Sequence, residues 1–373
     1  MKATRLSLCL AALCLFSFRA EAQTDSVPLF NTLRLEMRAD ADFAHQMKVI
    51  DGTVFSEKNN YGFTGRYFNL HLGGNLNKQI SYYFRQRIIA NEGSSKFFDN
   101  TDFLYINYRF HRNWSVRAGK DALAVGGFEY DAPPIDVFFN AYYWDYFYCF
   151  QLAASVAYHT SDGRNTIMAQ VGNSPYVHYG STFQNSLLSY NLFWSGRYDH
   201  FQTLYSINMF QRDREGHFMN YIALGNKVTY PRWSLYVDLI HHANSIQQLL
   251  KNFGVIARAD VMLGKGVSLF VKGGYEQNQD RDEHAAYRET QQAWDCLSVP
   301  GQTYCFGGVG CEYRPETCPD LRLHAYVADF CTRNAFDGSI QDLMPDENRH
   351  KIAASIGISC NFNFLKYINK KVK

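Results

Sequence analysis

The sequence predicts an all-β chain: a transmembrane antiparallel β-barrel of 16 strands, with short turns on one rim and long loops on the other. Three observations predict it. Long segments alternate apolar and polar side chains, every second connection is short, and the composition is strongly aromatic, with 26 Tyr and 29 Phe in 373 residues.

The chain opens with Lys2 and Arg5, an apolar stretch from Leu6 to Phe18, and Ala20-Glu21-Ala22. A basic start, a short apolar core and a small-x-small motif define a cleaved export signal over residues 1–22. Lys2, Arg5, Arg19 and Glu21 leave with it, so the remaining basic and acidic residues balance. That balance gives no ground for a nucleic-acid partner. After the signal no run of 18 apolar residues follows, which excludes helical membrane spans. A barrel escapes this test, because only alternate residues of its strands meet lipid.

The first strand carries the clearest alternation. Leu33, Leu35, Met37, Ala39, Ala41 and Phe43 occupy odd positions, and Arg34, Glu36, Arg38, Asp40 and Asp42 the even ones. A period of two over that length gives one apolar and one charged face, whereas a helix would spread the charges around its circumference. The same pattern runs through Ile80 to Ile88, Leu104 to Phe110, Val267 to Glu276 and Ile352 to Phe364. Short connections fall at Asn75 to Lys78, His111 to Asn113, Ser161 to Arg164, Gly196 to His200, Pro231-Arg232 and Gly264 to Gly266. Long ones are expected at Val49 to Asn60, Ala124 to Tyr148, Ser174 to Ser186, Glu276 to Gln302 and Arg333 to Arg349. The connection Arg212 to Glu215 is short where this pattern wants a loop. In lipid an open sheet edge leaves backbone groups unpaired, so such a sheet must close. Aromatic pairs near strand ends, among them Tyr82-Tyr83, Phe97-Phe98, Tyr142-Tyr143-Trp144 and Phe362 with Phe364, are expected to form interfacial girdles. The barrel then covers residues 23–364, and a basic tail of residues 365–373 follows.

The stretch Val116-Arg117-Ala118-Gly119-Lys120-Asp121, then Gly126-Gly127-Phe128-Glu129-Tyr130-Asp131, Pro133-Pro134-Ile135-Asp136 and Gln170-Val171-Gly172-Asn173-Ser174-Pro175, resembles the phosphate-selective porin O and P family of Gram-negative bacteria. The resemblance implies a sixteen-stranded outer-membrane barrel among lipid and lipopolysaccharide. It implies a homotrimer and a water-filled channel for small hydrophilic solutes, with one loop folded inward. Residues 124–148 are the candidate for that loop. The segment is long and aromatic and carries Glu129, Asp131, Asp136 and Asp145. Gly126-Gly127 permits a sharp departure from the strand, and Pro133-Pro134 stiffens the excursion.

Alternation places Arg34, Arg38, Arg85, Arg87, Arg109, Arg117, Arg258, Lys272 and Arg322 on the lumenal face. Such groups would attract anions such as phosphate through fixed donors. Glu36, Asp40, Asp42, Asp238, Asp260 and Glu276 share that face, and rings of a single charge sign are what impose selectivity. A mixed, weakly selective lumen is therefore expected. Lys120 falls on the apolar side by the same count.

The cysteines beyond the signal are Cys149, Cys296, Cys305, Cys311, Cys318, Cys331 and Cys360. Their spacing matches no zinc site. Cys305 and Cys331 would lie opposite each other on adjacent strands, as a possible disulfide in an oxidising compartment, and Cys296 with Cys305 is the other pairing. No cofactor motif appears. An outer-membrane hydrolase would need a nucleophile, a base and an orienting group; His241-His242 with Asp238 and Asn244 is the one local cluster, without a nucleophile elbow. The remaining alternative is a surface adhesin or docking protein whose long loops bind partners.

Overall fold

The computed structural model describes residues 28–50, 53–88, 98–141, 143–144, 148–176, 187–212, 216–243, 251–279, 302–334 and 347–366. The export signal, most of the basic tail, Asp145, Phe97 and Cys296 lie outside them.

The strands are β1 (Thr32–Ile50), β2 (Thr53–Asn75), β3 (Ile80–Arg87), β4 (Thr101–His111), β5 (Trp114–Ala122), β6 (Phe150–His159), β7 (Asn165–Asn173) and β8 (Leu188–Tyr198). The second half holds β9 (Phe201–Gln211), β10 (Phe218–Tyr230), β11 (Trp233–Ala243), β12 (Phe253–Gly264), β13 (Val267–Gln277), β14 (Gln302–Tyr313), β15 (Leu321–Asn334) and β16 (Glu347–Asn363). Each pairs antiparallel with its chain neighbours. β16 pairs with β1 from Arg34↔Asn363 to Ile50↔Glu347, which closes the cylinder. Closure gives edge N–H and C=O groups a partner where lipid supplies none.

The expected alternation holds on the outer wall. Ile352, Ile356 and Ile358 are exposed outward while Ser355 and Ser359 are buried inward. Trp114 with Tyr158, Trp194 with Tyr205 and Tyr230 with Trp233 pair at ring distances of 5.0, 5.3 and 4.9 Å beside the short turns, as one interfacial belt. Tyr143 is not part of a girdle. It is buried inside the barrel, edge-on to His242, and Trp144 packs on Tyr130. Both belong to the segment that enters the lumen, where rings are covered by protein and not by headgroups.

Of the expected loop from Val49 to Asn60, Val49 and Ile50 and then Thr53 to Asn60 are instead strand. β1 and β2 form one long hairpin whose last pair is Ile50↔Thr53. Where a hairpin rises beyond lipid, both faces meet water, so the period of two fades although backbone pairing continues. Asp51-Gly52, a favoured two-residue hairpin connection, was the available signal. The short link after β9 is real: the Arg212 N–H donates to His217 O at 2.8 Å.

Gly119 interrupts β5. Its φ of +137 is open to glycine and rarely to other residues, and a Cβ there would sit 2.2 Å from Leu104 O. After it the alternation breaks, and Lys120 and Asp121 are both buried. Lys120 donates to Phe98 O at 2.7 Å and lines the internal cavity, which corrects its expected apolar placement. Gly119→Ala is expected to destabilise the barrel by about 1–3 kcal/mol, the usual cost of forcing such a conformation. The denaturation midpoint of the refolded barrel, followed by heat-modifiable gel migration, measures this.

Candidate permeation pathway

Inside the cylinder, residues 123–141 leave the wall after β5 and cross the lumen. Each step of the excursion is held. The Ala124 N–H donates to Gln170 on β7 at 2.8 Å, and Ala124 O accepts from Asn208 on β9 at 2.9 Å. The Gly126 N–H donates to Ser206 Oγ at 2.8 Å. Gly127 takes φ +109 against the Asp238 carboxylate. There the chain forms one helical turn, α1 (Phe128–Asp131), whose first two N–H groups, Phe128 and Glu129, donate to Asp238 at 2.8 and 2.9 Å. Pro134–Asp136 adds a 3-10 turn.

Glu129 is the centre of the attachment. One carboxylate oxygen accepts the Ala141 N–H at 2.7 Å, and the other lies 2.8 Å from Lys272 Nζ, with both side chains almost fully buried. Lys272 also donates to Phe139 O. Arg38 donates to Val137 O at 3.0 Å, Arg258 to Asp136 O at 3.3 Å, and Arg322 to Ile135 O at 2.6 Å and to the Asp136 carboxylate. The Tyr143 N–H donates to Glu276 at 3.0 Å. Phe138 and Phe139 pack on Phe270, Phe306 and Tyr326, filling the lumen on the β13–β15 side.

The nine cations expected on the lumenal face therefore separate into groups. Arg38, Arg258, Lys272 and Arg322 hold the crossing segment; each of these arginines also meets a carboxylate, Arg38 Asp40, Arg258 Asp260 and Glu312, and Arg322 Glu312. Arg34, Arg85, Arg87 and Arg117 form the opposite wall, on β1, β3 and β5. Between that wall and Glu129–Val137 lies a cavity of about 710 Å³. Arg34, Arg87 and Arg117 keep about a third of each side chain exposed, at 33, 36 and 36%. Arg85 is buried. Arg109 is not brought to this site; it is exposed near the short-turn rim, its N–H on Gln79 O.

Of the acidic residues expected on the crossing segment, Glu129 is buried, Asp131 is exposed on the cavity rim, and Asp136 is half-exposed beside Arg322. Every arginine of the wall has a carboxylate neighbour. Arg34 lies 3.6 Å from Glu36, Arg85 and Arg87 share Asp102 at 2.9 Å each, and Arg117 meets Asp121 at 2.8 Å. The guanidinium planes also face rings, Arg85 over Phe103 at 4.5 Å and Arg117 over Tyr105 at 4.3 Å.

Several lumenal residues escaped the alternation argument. Arg66 bridges Asp40 and Asp42 at 3.1 and 2.7 Å, and it is the extra residue of a β-bulge between Tyr67 and Gly65. A bulge shifts the parity of everything beyond it, so counting in twos misplaces it. Lys120 was lost for a different reason, the positive φ of Gly119 without a change of register; a glycine inside a strand pattern was the signal for both. His71 on Glu36 and His324 on Asp40, each at 2.9 Å, needed the cross-strand register.

Cys305 and Cys331 are register partners on β14 and β15. Both thiols are free in this structure, and Cys331 Sγ lies 3.7 Å from His350 Nε2.

The comparisons agree with this geometry. The sequence matches the family described as phosphate-selective porin O and P over residues 34–275, well over half of the chain. No curated protein sequence matches it. The fold is similar to the outer-membrane channel DcaP of Acinetobacter baumannii, with a TM-score of 0.61 at 12% identity, covering 92% of this chain and 99% of that one. It is also similar to the anion-selective porin from Comamonas acidovorans, with a TM-score of 0.57 at 11% identity, covering 88% and 98%. Pseudomonas putida OprB gives 0.55 at 12% identity, covering 89% and 94%. A closed sixteen-strand barrel with an apolar outer wall and a charged interior, matched over most of its length, makes this chain an outer-membrane porin for small hydrophilic solutes, and it belongs to the phosphate-selective porin O and P family.

Proposed function

We propose that solutes pass through the gap between the arginine wall of β1, β3 and β5 and the crossing segment 124–141, which acts as the constriction, and that this passage is only weakly charge-selective. The observation that carries the reading is the pairing of the wall. The cavity lining holds Arg34, Arg85, Arg87, Arg117 and Lys120 against Glu36, Asp99, Asp102, Asp121, Glu129 and Asp131. Adjacent opposite charges make a field across the passage and little net potential along it. A phosphate-specific path would require basic rings without such partners.

Reversal potentials under a KCl gradient, with the mature protein in planar bilayers, test this. The anion-to-cation permeability ratio is expected to stay within roughly tenfold of one, since paired rings discriminate poorly. A ratio far above that for chloride or phosphate would overturn the reading. Replacing Arg87 and Arg117 with glutamine leaves Asp102 and Asp121 with less compensation and is expected to move the reversal potential toward cations.

The proposal contains no catalytic step. Both oxygens of Asp238 are engaged by the amides of α1, and His242 is packed between the rings of Tyr143 and Tyr221 at 5.0 and 5.6 Å. These contacts support a structural role for both side chains. A trimer belongs to the same proposal. An apolar hollow on the outer wall, where Ala118, Ala154 and Ala169 face outward among Ile106, Leu192 and Ile207, supports packing of a second copy.

A further inference from the structure

We propose that a second cavity, across the crossing segment from the main passage, binds small aromatic carboxylates on their way in. The inference rests on the channel reading above and adds a substrate class to it. The cavity measures about 450 Å³ and lies between Val137–Asn140 and the inner face of β14–β16, β1 and β2, toward the long-loop rim. Tyr67, Val137 and Asn140 line both cavities, so the two are neighbours.

The hollow has a cause in the register. Ala328, Ala353 and Ala44 are partners across β15, β16 and β1, and all three fall in the inward-facing set. The next inward row toward the rim is Phe330, Lys351 and Gln46, and the row beneath is Tyr326, Ser355 and Asp42. Three alanines in one row, between Phe330 and Lys351 on one side and Tyr326 on the other, leave room for a flat group. Rings wall it: Tyr304 and Phe330 stand 6.4 Å apart, and Phe139 meets Tyr326 at 5.4 Å.

The charge differs from that of the main passage. Arg38, Arg66, Arg349 and Lys351 line the cavity, and Asp42 is the one carboxylate among its described lining residues. Lys351 Nζ lies 5.5 Å over the Phe330 ring and has no carboxylate partner among the described residues. Arg66 is 38% exposed while holding Asp40 and Asp42. A carboxylate gains charge-assisted hydrogen bonds from an ammonium and a guanidinium. A ring attached to it gains offset or edge contacts with Tyr304, Tyr326 and Phe330. An inorganic anion uses only the first of these.

Calorimetric titration of the mature, full-length barrel in detergent, with benzoate, acetate and phosphate as probes, tests the inference. Benzoate is expected to bind roughly five- to tenfold tighter than acetate, the increment aromatic contacts supply. Lys351→Gln is expected to weaken benzoate binding about tenfold, the loss of one hydrogen bond to a charged group. Ala353→Leu fills the hollow and is expected to abolish the preference for benzoate over acetate. KCl conductance through the main passage should persist in both variants, and heat-modifiable migration verifies that each is folded. Equal binding of the three probes, or benzoate binding unchanged by Lys351→Gln, would overturn the proposal. Absence of benzoate preference with normal KCl conductance defeats this site alone. Absence of conductance with benzoate bound defeats the channel reading instead.

Discussion

Lys272→Met is expected to release the crossing segment and raise single-channel conductance, with larger current noise. Lys272 and Glu129 are a nearly dry pair, 3 and 1% exposed, at 2.8 Å. Removing the cation leaves the Glu129 carboxylate buried with its charge uncompensated, which costs about 3–5 kcal/mol. The segment escapes that cost by lifting Glu129 toward water. In doing so it gives up the Glu129 bond to Ala141, after the substitution has already removed the Lys272 bond to Phe139 O. The double variant Glu129→Gln with Lys272→Met removes both charges and keeps their volume. It is expected to recover most of the parental conductance, a non-additivity characteristic of groups in contact. Bilayer recording and limited proteolysis around residues 124–148 read the outcome together. If Lys272→Met left both unchanged, the segment would owe its position to the remaining anchors at Asp238, Arg38 and Arg322.

Ile356→Arg should cost about 2–4 kcal/mol of barrel stability, the price of a guanidinium at mid-depth on a lipid-facing wall. Ile356 is 70% exposed outward and sits between Ile352 and Ile358 in the apolar band. Gln46→Arg, five positions along the same β1–β16 seam on the inner face, places the same group in water and is expected to stay within about 0.5 kcal/mol. Unfolding titrations of both variants in lipid vesicles compare them directly. Similar losses for the two would mean that the inner and outer faces are not in different solvents.

Much of the fold was legible because each strand repeats the same two-solvent constraint. Leu33 to Phe43 against Arg34 to Asp42 states it once, and Ile352 to Phe362 states it again on the strand that closes the seam. Legibility failed where that constraint lapses. Val49 to Asn60 continues a hairpin beyond lipid, so pairing persists without amphipathic alternation. At Arg66 a bulge residue shifts the parity, and after the positive φ of Gly119 the alternation lapses, so Arg66 and Lys120 turn inward against the count.

The candidate site was legible as a set of residue types and not as an arrangement. Glu129, Lys272 and Asp238 are 143 positions apart at their extremes, and no local pattern says that they meet. Nor does the sequence say that Arg38, Arg258 and Arg322 point their donors at backbone carbonyls while Arg34, Arg87 and Arg117 keep an exposed face.

By itself, then, the sequence determined the barrel, its two rims, the sixteen strands and which face of most strands is charged. These follow from short-range alternation between hydrocarbon and water, which each strand expresses alone. Only the tertiary structure decided which cations anchor the crossing segment, which keep an exposed face, and where the two cavities lie. Those outcomes depend on cross-strand register and on bulges, quantities set by closure of the whole cylinder and carried by no single segment.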